Sequence, residues 1–596
     1  MDAELEKVSW ELGDLIGGDE PRKAVDGLLA EAGERAEAFA AAHAGRIADL
    51  DGPGLVEVMR ELGAIRELTT RAGTYAQLAF SVATADPANG ALLQRVEEKG
   101  TGIRTALLFF GLEWAALDDA KAEELLAADG LDFARHHLVT ARQHRPHLLT
   151  EPEEKILAEK ASSGRNAWVR LFQEQTAALR VDLGEGEPVA LEVGLSRLAS
   201  PDREVRRHAA ERVSAALEPG LRTRGFVFNT LLADKAADDR LRSYPHWLAS
   251  RNVANEASDE SVAALIEAVR GRYELPRRWY RLKAGLLGLD RISDYDRMAA
   301  VTDGDESVPW AEARDLVQET YSGFSPELGG IVRRFFDERW IDAPVRPGKR
   351  GGAFCSYGTP EVHPYVMLNY TSTRRDVLTL AHELGHGVHG VLGSRQGLFH
   401  MSTPLTLAET ASVFGETLVF ERLLRHAPTP ESRLSLLAES IEGSIATVFR
   451  QVAMNRFEHL VHTGRREEGE LSVDRFGELW AESQGELLGD AVELSEGYRT
   501  WWSYIPHFIG TPGYVYAYAY GQLLALAVYA RYEEEGEAFV PRYLELLSAG
   551  GSRGPEELGA IVGIDLADPG FWDRGLDLVE RKLEAAEAAA RDAGRL

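Results

Sequence analysis

Cysteine is almost missing from this chain: Cys355 is the one thiol in 596 residues. An internal disulfide is excluded, and a reducing compartment is the natural expectation. Positive charge is also short, 66 Lys and Arg against 95 Asp and Glu, for a formal net charge of −29. So acidic a chain argues against nucleic acid as a partner and favours solubility. Long apolar runs are absent as well. A membrane span needs about 18 or more consecutive apolar residues, and the most tempting segment, Leu523 to Tyr532, is too short. No membrane partner is therefore expected. Met1-Asp2-Ala3-Glu4-Leu5-Glu6 shows no basic stretch leading into an apolar one, so no secretory leader is expected, and the cytoplasm is the expected location. No internal repeat of fixed period stands out.

What the chain has in quantity is helical pattern. Its length suggests more than one domain and suffices for a large buried core. Residues 20–180 are rich in Ala, Glu, Leu and Arg with helical periodicity. Thr150-Glu151-Pro152-Glu153-Glu154 reads as an N-cap followed by Pro and acid in the first turn. Val181 to Val193 is interrupted by glycine and reads as a short hairpin or a connecting loop. Ser200-Pro201-Asp202 starts another helix. Asp303-Gly304-Asp305-Glu306-Ser307 reads as a loop, and Ala343 to Gly352, with two prolines and three glycines, is the clearest break. Strand candidates follow it, near 352–370. Gly550 to Pro555 separates the last helices, and the Ala/Glu/Arg-rich end after 576 is expected to fray. The fold expected is mainly α, with a small β-sheet; a helical N-terminal domain over 1–200 precedes a catalytic domain over 201–596.

The chemistry concentrates in His382-Glu383-Leu384-Gly385-His386. H-E-x-x-H has a mechanical reason behind it: residues four apart lie about 40° apart on a helix, so both imidazoles reach one metal ion. Glu383 sits beside them on the wheel, placed to take a proton from an activated water without itself being a ligand. With 16 histidines in the chain, the bare pattern arises by chance in about one such chain in 20, so its flanks matter. Pro364 to Tyr370 is a short apolar and aromatic run suited to a strand. Thr371, Ser372 and Thr373 offer N-cap hydroxyls, and Asp376 puts negative charge in the first turn. Val377, Leu378, Leu380, Ala381, Leu384 and Val388 make the helix largely apolar. Buried histidines and a buried Glu are costly unless paired or metal-bound. Gly385 and Gly387 weaken the helix, which a close approach of another backbone would explain.

A catalytic zinc takes three protein ligands and leaves one position for water. A third histidine six residues after His386 is lacking, since position 392 is Leu. His389 lies on nearly the same face as His382 but too far along the axis, and reads as a packing or outer-sphere residue. His400 is a further candidate, in a loop containing Gly and Ser. Glu409 is the better one, in the amphipathic stretch Leu407 to Glu416, where Glu409 and Glu416 share a face. Zinc rather than Mn²⁺ or Co²⁺ follows from the ligand types.

HELGHGVH followed by AETASVFGE resembles the oligoendopeptidase F branch of the thimet-oligopeptidase family of zinc metallopeptidases. Gly352-Ala353-Phe354-Cys355-Ser356 resembles that family's strand beside its cleft. Ile505-Pro506-His507-Phe508 and Tyr514-Val515-Tyr516-Ala517-Tyr518-Ala519-Tyr520-Gly521 resemble its C-terminal His/Tyr motif. Leu286 to Asp290 with Tyr295-Asp296 fits the approach to the catalytic part. The resemblance spans roughly residues 110–590. It implies a zincin-like catalytic part that, with the helical N-terminal part, encloses a deep channel admitting unfolded peptides. It implies one Zn²⁺ per chain on His382, His386 and Glu409, with Glu383 as general base. It further implies that His507 and a tyrosine of 514–520 stabilise the oxyanion, Tyr514 first and Tyr520 second. Tyr514 and Tyr518 share one helical face, Tyr516 and Tyr520 another, and at least two of the four are expected to be core. Cys355 reads as a small apolar strand residue rather than a nucleophile. The activity implied is hydrolysis of internal bonds in oligopeptide substrates. Two other readings are a zinc carboxypeptidase of similar architecture and a non-catalytic peptide-binding relative; intact Glu383 argues against the second.

Overall fold

The computed structural model describes residues 4–17, 20–161, 163–184, 186–302, 307–566, 568 and 570–596. The expected loop at Asp303 to Ser307 lies outside these, apart from Ser307. Contacts divide the chain into two compact units, each assembled from three separate segments. Unit 1 comprises Met1–Arg145, Asp305–Leu423 and Val528–Leu566; unit 2 comprises Pro146–Gly304, Leu424–Ala527 and Ala567–Leu596. This division follows packing and differs from the sequential boundary expected at residue 200.

Unit 1 begins with three long helices, Pro21–His43, Gly52–Val82 and Pro87–Ala116. Asp51 and Asp86 accept backbone N–H groups at the starts of the second and third, each with a proline in the first turn. Their apolar faces meet around Leu29, Phe39, Met59, Ile65 and Trp114. The N-terminal segment is joined to the unit's sheet by packing: Trp10 meets Tyr365 edge-on at 6.1 Å, and Leu15 and Leu78 bury against the same cluster.

That sheet has three strands, β1 (Ile341–Pro344), β2 (Phe354–Ser356) and β3 (Tyr365–Tyr370), in the order β1-β3-β2. β1 runs parallel to β3, and β2 antiparallel to it with Cys355 opposite Val366. β2 and β3 fall where strands are expected. β1 is a correction: it runs into the proline- and glycine-rich break, and Pro344 ends it, where a missing N–H interrupts no central ladder. Beyond β3, Thr373 caps helix α1 (Arg374–Gly393). Its hydroxyl accepts the Asp376 N–H, while the Asp376 carboxylate accepts the N–H groups of Thr373 at 2.9 Å and Thr371 at 2.8 Å. This reciprocal cap fixes where the helix begins, and hence which way His382 and His386 point. Helix α2 (Leu405–His426) follows.

Unit 2 is helical, with two short ladders. Arg180–Val181 pairs antiparallel with Val189–Ala190, the hairpin expected near there, although Leu191–Ser196 is already helix. Ile292–Ser293 pairs parallel with Val492–Glu493. Asp202 caps the helix Arg203–Leu217 as expected. The core is unusually aromatic: Phe228 stacks on Phe476 at 5.1 Å, and Phe457 lies 5.0 Å from Phe508. The C-terminal helix Phe571–Asp592 does not fray after 576. Trp572, Leu576, Val579 and Leu583 are buried, Arg278 pairs with Glu580 and Glu587, and Lys582 donates to Ser440 Oγ at 2.9 Å. An Ala-rich sequence with an apolar stripe is held by what it packs on. Among the described residues, no helix is long and apolar enough to cross a membrane.

Candidate active site

Unit 1 brings three of the expected residues to one point. Ligand atoms of His382, His386 and Glu409 lie within 4.8 Å of one another, and each side chain is half-buried. Glu409 Oε2 stands 3.4 Å from His382 Nε2 and 3.5 Å from His386 Nε2. The two rings, one helical turn apart on α1, have centroids 5.0 Å apart.

Both histidines are tied down on their far sides, and Glu409 is held through the oxygen that faces them. His382 Nδ1 donates to Glu416 Oε2 at 3.0 Å, so its Nε2 is left facing Glu409. The His386 ring bonds to the backbone carbonyl of Ala408. Ser412 Oγ donates to Glu409 Oε2 at 2.6 Å. Histidines whose second nitrogen meets a carboxylate or a carbonyl are oriented as metal-ligating histidines are. Two imidazoles and one carboxylate, with three positions filled, are a donor set that fits zinc and leaves room for water.

Helix packing makes the approach of α1 and α2 close. A Cβ on Gly385 would lie 2.6 Å from Ser412 Cα and would overlap the Ala411 carbonyl; one on Gly387 would overlap the Phe335 ring, on the helix Pro326–Asp337. Gly385 therefore lets α2 bring Glu409 to the two histidines, while Gly387 makes room for the Phe335 ring. Tyr321 supports the same turn, donating to the Ala381 carbonyl at 2.8 Å from a buried position. Gly385→Ala should lower stability by about 1–3 kcal/mol, as forced overpacking does, and weaken the hold on any metal ion these three side chains bind as Glu409 moves off. Thermal denaturation with metal analysis checks this; an unchanged melting temperature and metal content would show that the helices need no such contact.

Electrostatics separate the groups. Burial pushes Glu383, 7% exposed, up to about 7, reinforced by the charges of Glu409 and Glu416 and opposed by His382. Burial would lower His382, but the Glu416 hydrogen bond and the charges of Glu409 and Glu416 carry it up to about 9. Burial and the charge of His382 bring His386 down to about 4 against the pull of Glu409. Glu409 stays below its usual range: burial is outweighed by both imidazoles and Ser412. These values belong to the protein without an ion. They describe a pocket in which negative charge seeks a cation.

A cavity of about 400 Å³ opens over these residues, lined also by Ala353, Phe354, Cys355, Tyr357, Ser402, Thr403 and Ala408. Cys355 sits on β2 facing it, and burial together with the charge of Glu383 raises its thiol well above the usual range. A protonated thiol is a poor nucleophile, in keeping with a packing role. His389 is fully buried, brought down to about 3 by burial, and lies outside the ligand group. His400 is buried too, its Nε2 accepting the His137 N–H at 3.1 Å, so it serves the loop rather than the ion.

His507, Tyr514 and Tyr520 lie in unit 2. His507 opens the short helix His507–Gly510, anchored by Phe508 in the aromatic core. Its ring stacks on Tyr514 at 5.9 Å, and its Nε2 lies 3.2 Å from the Tyr518 hydroxyl. Tyr520 is placed apart from this pair. It is 1% exposed, packed on Trp572 at 4.6 Å, with its hydroxyl 3.1 Å from Ser261 Oγ. A phenol held in the core is not free to meet a substrate. Tyr516 is likewise core, its hydroxyl bonded to Asn252 and Asn255. Tyr518, not singled out from the sequence, is the second tyrosine beside His507. The signal for it was present, since Tyr514 and Tyr518 share a helical face.

A family model for peptidase family M3 matches residues 197–578, and one for oligopeptidase F matches residues 113–180. Oligopeptidase PepF of Bacillus subtilis (strain 168) is 27% identical over 553 residues, which are 91% of this chain and 82% of that protein. Group B oligopeptidase PepB of Streptococcus agalactiae is 28% identical over 469 residues, 78% of each chain. Among solved structures, oligoendopeptidase-F from Enterococcus faecium superposes with a TM-score of 0.72 at 23% identity, covering 95% of this chain and 98% of that one. A chain from Chlamydophila abortus reaches 0.86 at 23% identity over 98% of each. At such identity the structures speak to the fold, which they share as a mainly helical architecture with small sheets. The sequence match extends over more than half of the chain, the helix of His382 and His386 included, and on that ground the chain belongs to peptidase family M3, in its oligopeptidase F branch.

Proposed function

We propose that this protein is a zinc-dependent oligopeptidase that hydrolyses internal bonds of short, unstructured peptides. The observation that carries the reading is the convergence of His382, His386 and Glu409 within 4.8 Å, with Glu383 buried beside them. Those three residues would hold the ion. When bound, zinc supplies Lewis acidity, polarising a carbonyl and lowering the pKa of water. Glu383 takes the proton of the attacking water on its carboxylate and passes it to the leaving amine nitrogen. Its place in the helix turn between the two histidines, with the side chain 7% exposed, puts the carboxylate where it can take up a proton and pass it on. Glu416 holds His382 in the tautomer that presents Nε2. The family resemblance assigns the oxyanion to His507 and a tyrosine of 514–520, with Tyr514 favoured. The Tyr518 hydroxyl, 3.2 Å from His507 Nε2, supports counting it among the candidates. An imidazole N–H and a phenol O–H are suitable donors to developing negative charge.

Substrate binding is assigned to β2. It pairs only with β3 among the described residues, so its outer edge offers N–H and C=O groups to an extended peptide. Main-chain pairing holds a peptide with little regard to its side chains. The test is a mass-spectrometric digest of a mixed peptide library that includes C-terminally amidated members, with and without chelator. Internal cleavage of the amidated peptides, stopped by chelator and restored by zinc, is expected. If only peptides with free C-termini were shortened, one residue at a time, the carboxypeptidase reading would replace this one.

A further inference from the structure

The chain between His507 and Tyr514 is gripped by groups that the mechanism above leaves unused. Thr511 to Tyr514 form a β-turn, closed by the Tyr514 N–H on the Thr511 carbonyl at 3.1 Å. Pro512 stands second and Gly513 third, with φ of +73°, which is the residue pattern of a type II turn. Types I and II differ in the orientation of the central peptide, here Pro512–Gly513. Both polar ends of that one peptide are held from outside the turn. Glu458 Oε1, on the helix Arg450–Glu467, accepts the Gly513 N–H at 2.8 Å. Arg251 Nε, on the helix Ala249–Ala254, donates to the Pro512 carbonyl at 3.4 Å. A side chain at Gly513 would be strained by that positive φ, and its Cβ would press on Leu248 Cδ1 at 2.6 Å.

Glu458 is a costly residue to keep in this place. It is 1% exposed, and its second carboxylate oxygen has no hydrogen-bond partner among the described residues. Burial raises its pKa to about 8, with the Gly513 N–H and the charge of Arg251 opposing. An apolar residue of similar size would avoid the desolvation penalty but would leave the Gly513 N–H buried and unpaired. Among the described residues, the hydrogen bond that the Glu458 carboxylate accepts is thus the one that selects the orientation of the turn peptide.

We infer that Glu458 and Arg251 are positioning residues that lock the Pro512–Gly513 peptide and thereby fix His507 and Tyr514 in their stacked arrangement. The inference rests on the assignment of His507 and Tyr514 to the substrate. With the central peptide free to flip, Gly513 would leave its left-handed conformation and Tyr514 would shift against His507. A misplacement of about 1 Å can cost about 100-fold in rate.

The experiment compares steady-state cleavage of an amidated oligopeptide by Glu458→Leu, Glu458→Gln, Arg251→Met and His507→Ala, each with zinc content and melting temperature recorded. Glu458→Leu should lose about 10–100-fold in kcat with KM within a few-fold and zinc unchanged. Glu458→Gln, which keeps an oxygen for the Gly513 N–H, should recover most of that loss. Arg251→Met should move kcat the same way by less. In the double variant with His507→Ala, Glu458→Leu should add little, because residues acting through one group are not additive. Parent-like kcat in folded Glu458→Leu, with His507→Ala impaired, would overturn the inference and leave the proposed function standing; fully additive losses would do the same. If Glu458→Leu does not fold, the kcat-only loss in Arg251→Met decides the matter. Full activity in His507→Ala would remove the assignment on which the inference depends, and the inference with it.

Discussion

Glu383→Gln should keep the fold and the zinc and lose about 10²–10⁴-fold in turnover, the usual cost of removing a general base. The substitution is close to isosteric, and the side chain is 7% exposed, so packing changes little. The amide can fill the space and donate hydrogen bonds, but it cannot take a proton from water. A pH profile adds a signature that a packing defect would not give. Glu383 must be ionised to act, so parent kcat should rise with pH through its pKa and fall away on the acid side. In the Gln variant the residual rate should lose that limb. Zinc analysis must accompany the kinetics. Activity within a few-fold of the parent at equal zinc content would remove Glu383 from the role of base.

Much of the site was legible because its determinants are local. Two histidines one turn apart, a capping Thr373 with Asp376 three residues on, and an apolar helix between them specify direction as well as position. Glu409 was legible for a similar reason: it lies on an amphipathic stretch soon after the metal helix. What local pattern could not supply was the difference between Glu409 and Glu416. Seven residues apart on one helix face, they looked like first and second choices for one task. The packing of α2 against α1 gives them different nitrogens of the same ring: Glu409 faces His382 Nε2, and Glu416 takes Nδ1. That distinction depends on an interhelical approach which only the Gly385 contact reveals.

The tyrosines carry the same lesson. Helical periodicity paired Tyr514 with Tyr518 and Tyr516 with Tyr520, and the structure keeps both pairs. Which pair is core depends on Asn252, Asn255 and Ser261, more than 250 residues earlier in the chain. The division into units was hidden for a related reason. Trp10 packs against Tyr365, and Arg278 meets Glu587, pairs separated by most of the chain. Composition along the sequence shows where helices are, whereas the grouping of helices follows contacts of this length.

Glu409→Ala and His382→Ala should each lose zinc, and activity with it, whereas Glu416→Ala should retain an ion bound about 10–100-fold more weakly, the usual cost of losing an outer-sphere partner. The ranking follows from the atoms. Glu409 Oε2 stands at similar distance from both Nε2 atoms, 3.4 and 3.5 Å, and Ser412 orients it, so its removal takes away a ligand. Glu416 lies behind His382 at 3.0 Å, so its removal frees the ring to rotate and to change tautomer while leaving the donor count at three. Metal analysis after dialysis, repeated across a series of zinc concentrations, separates the two cases. Glu416→Ala should regain activity at high zinc, and Glu409→Ala should not. Normal zinc in Glu409→Ala would move the third ligand elsewhere, with Glu416 next in line. Equal loss in both variants would mean that the two carboxylates share the ion.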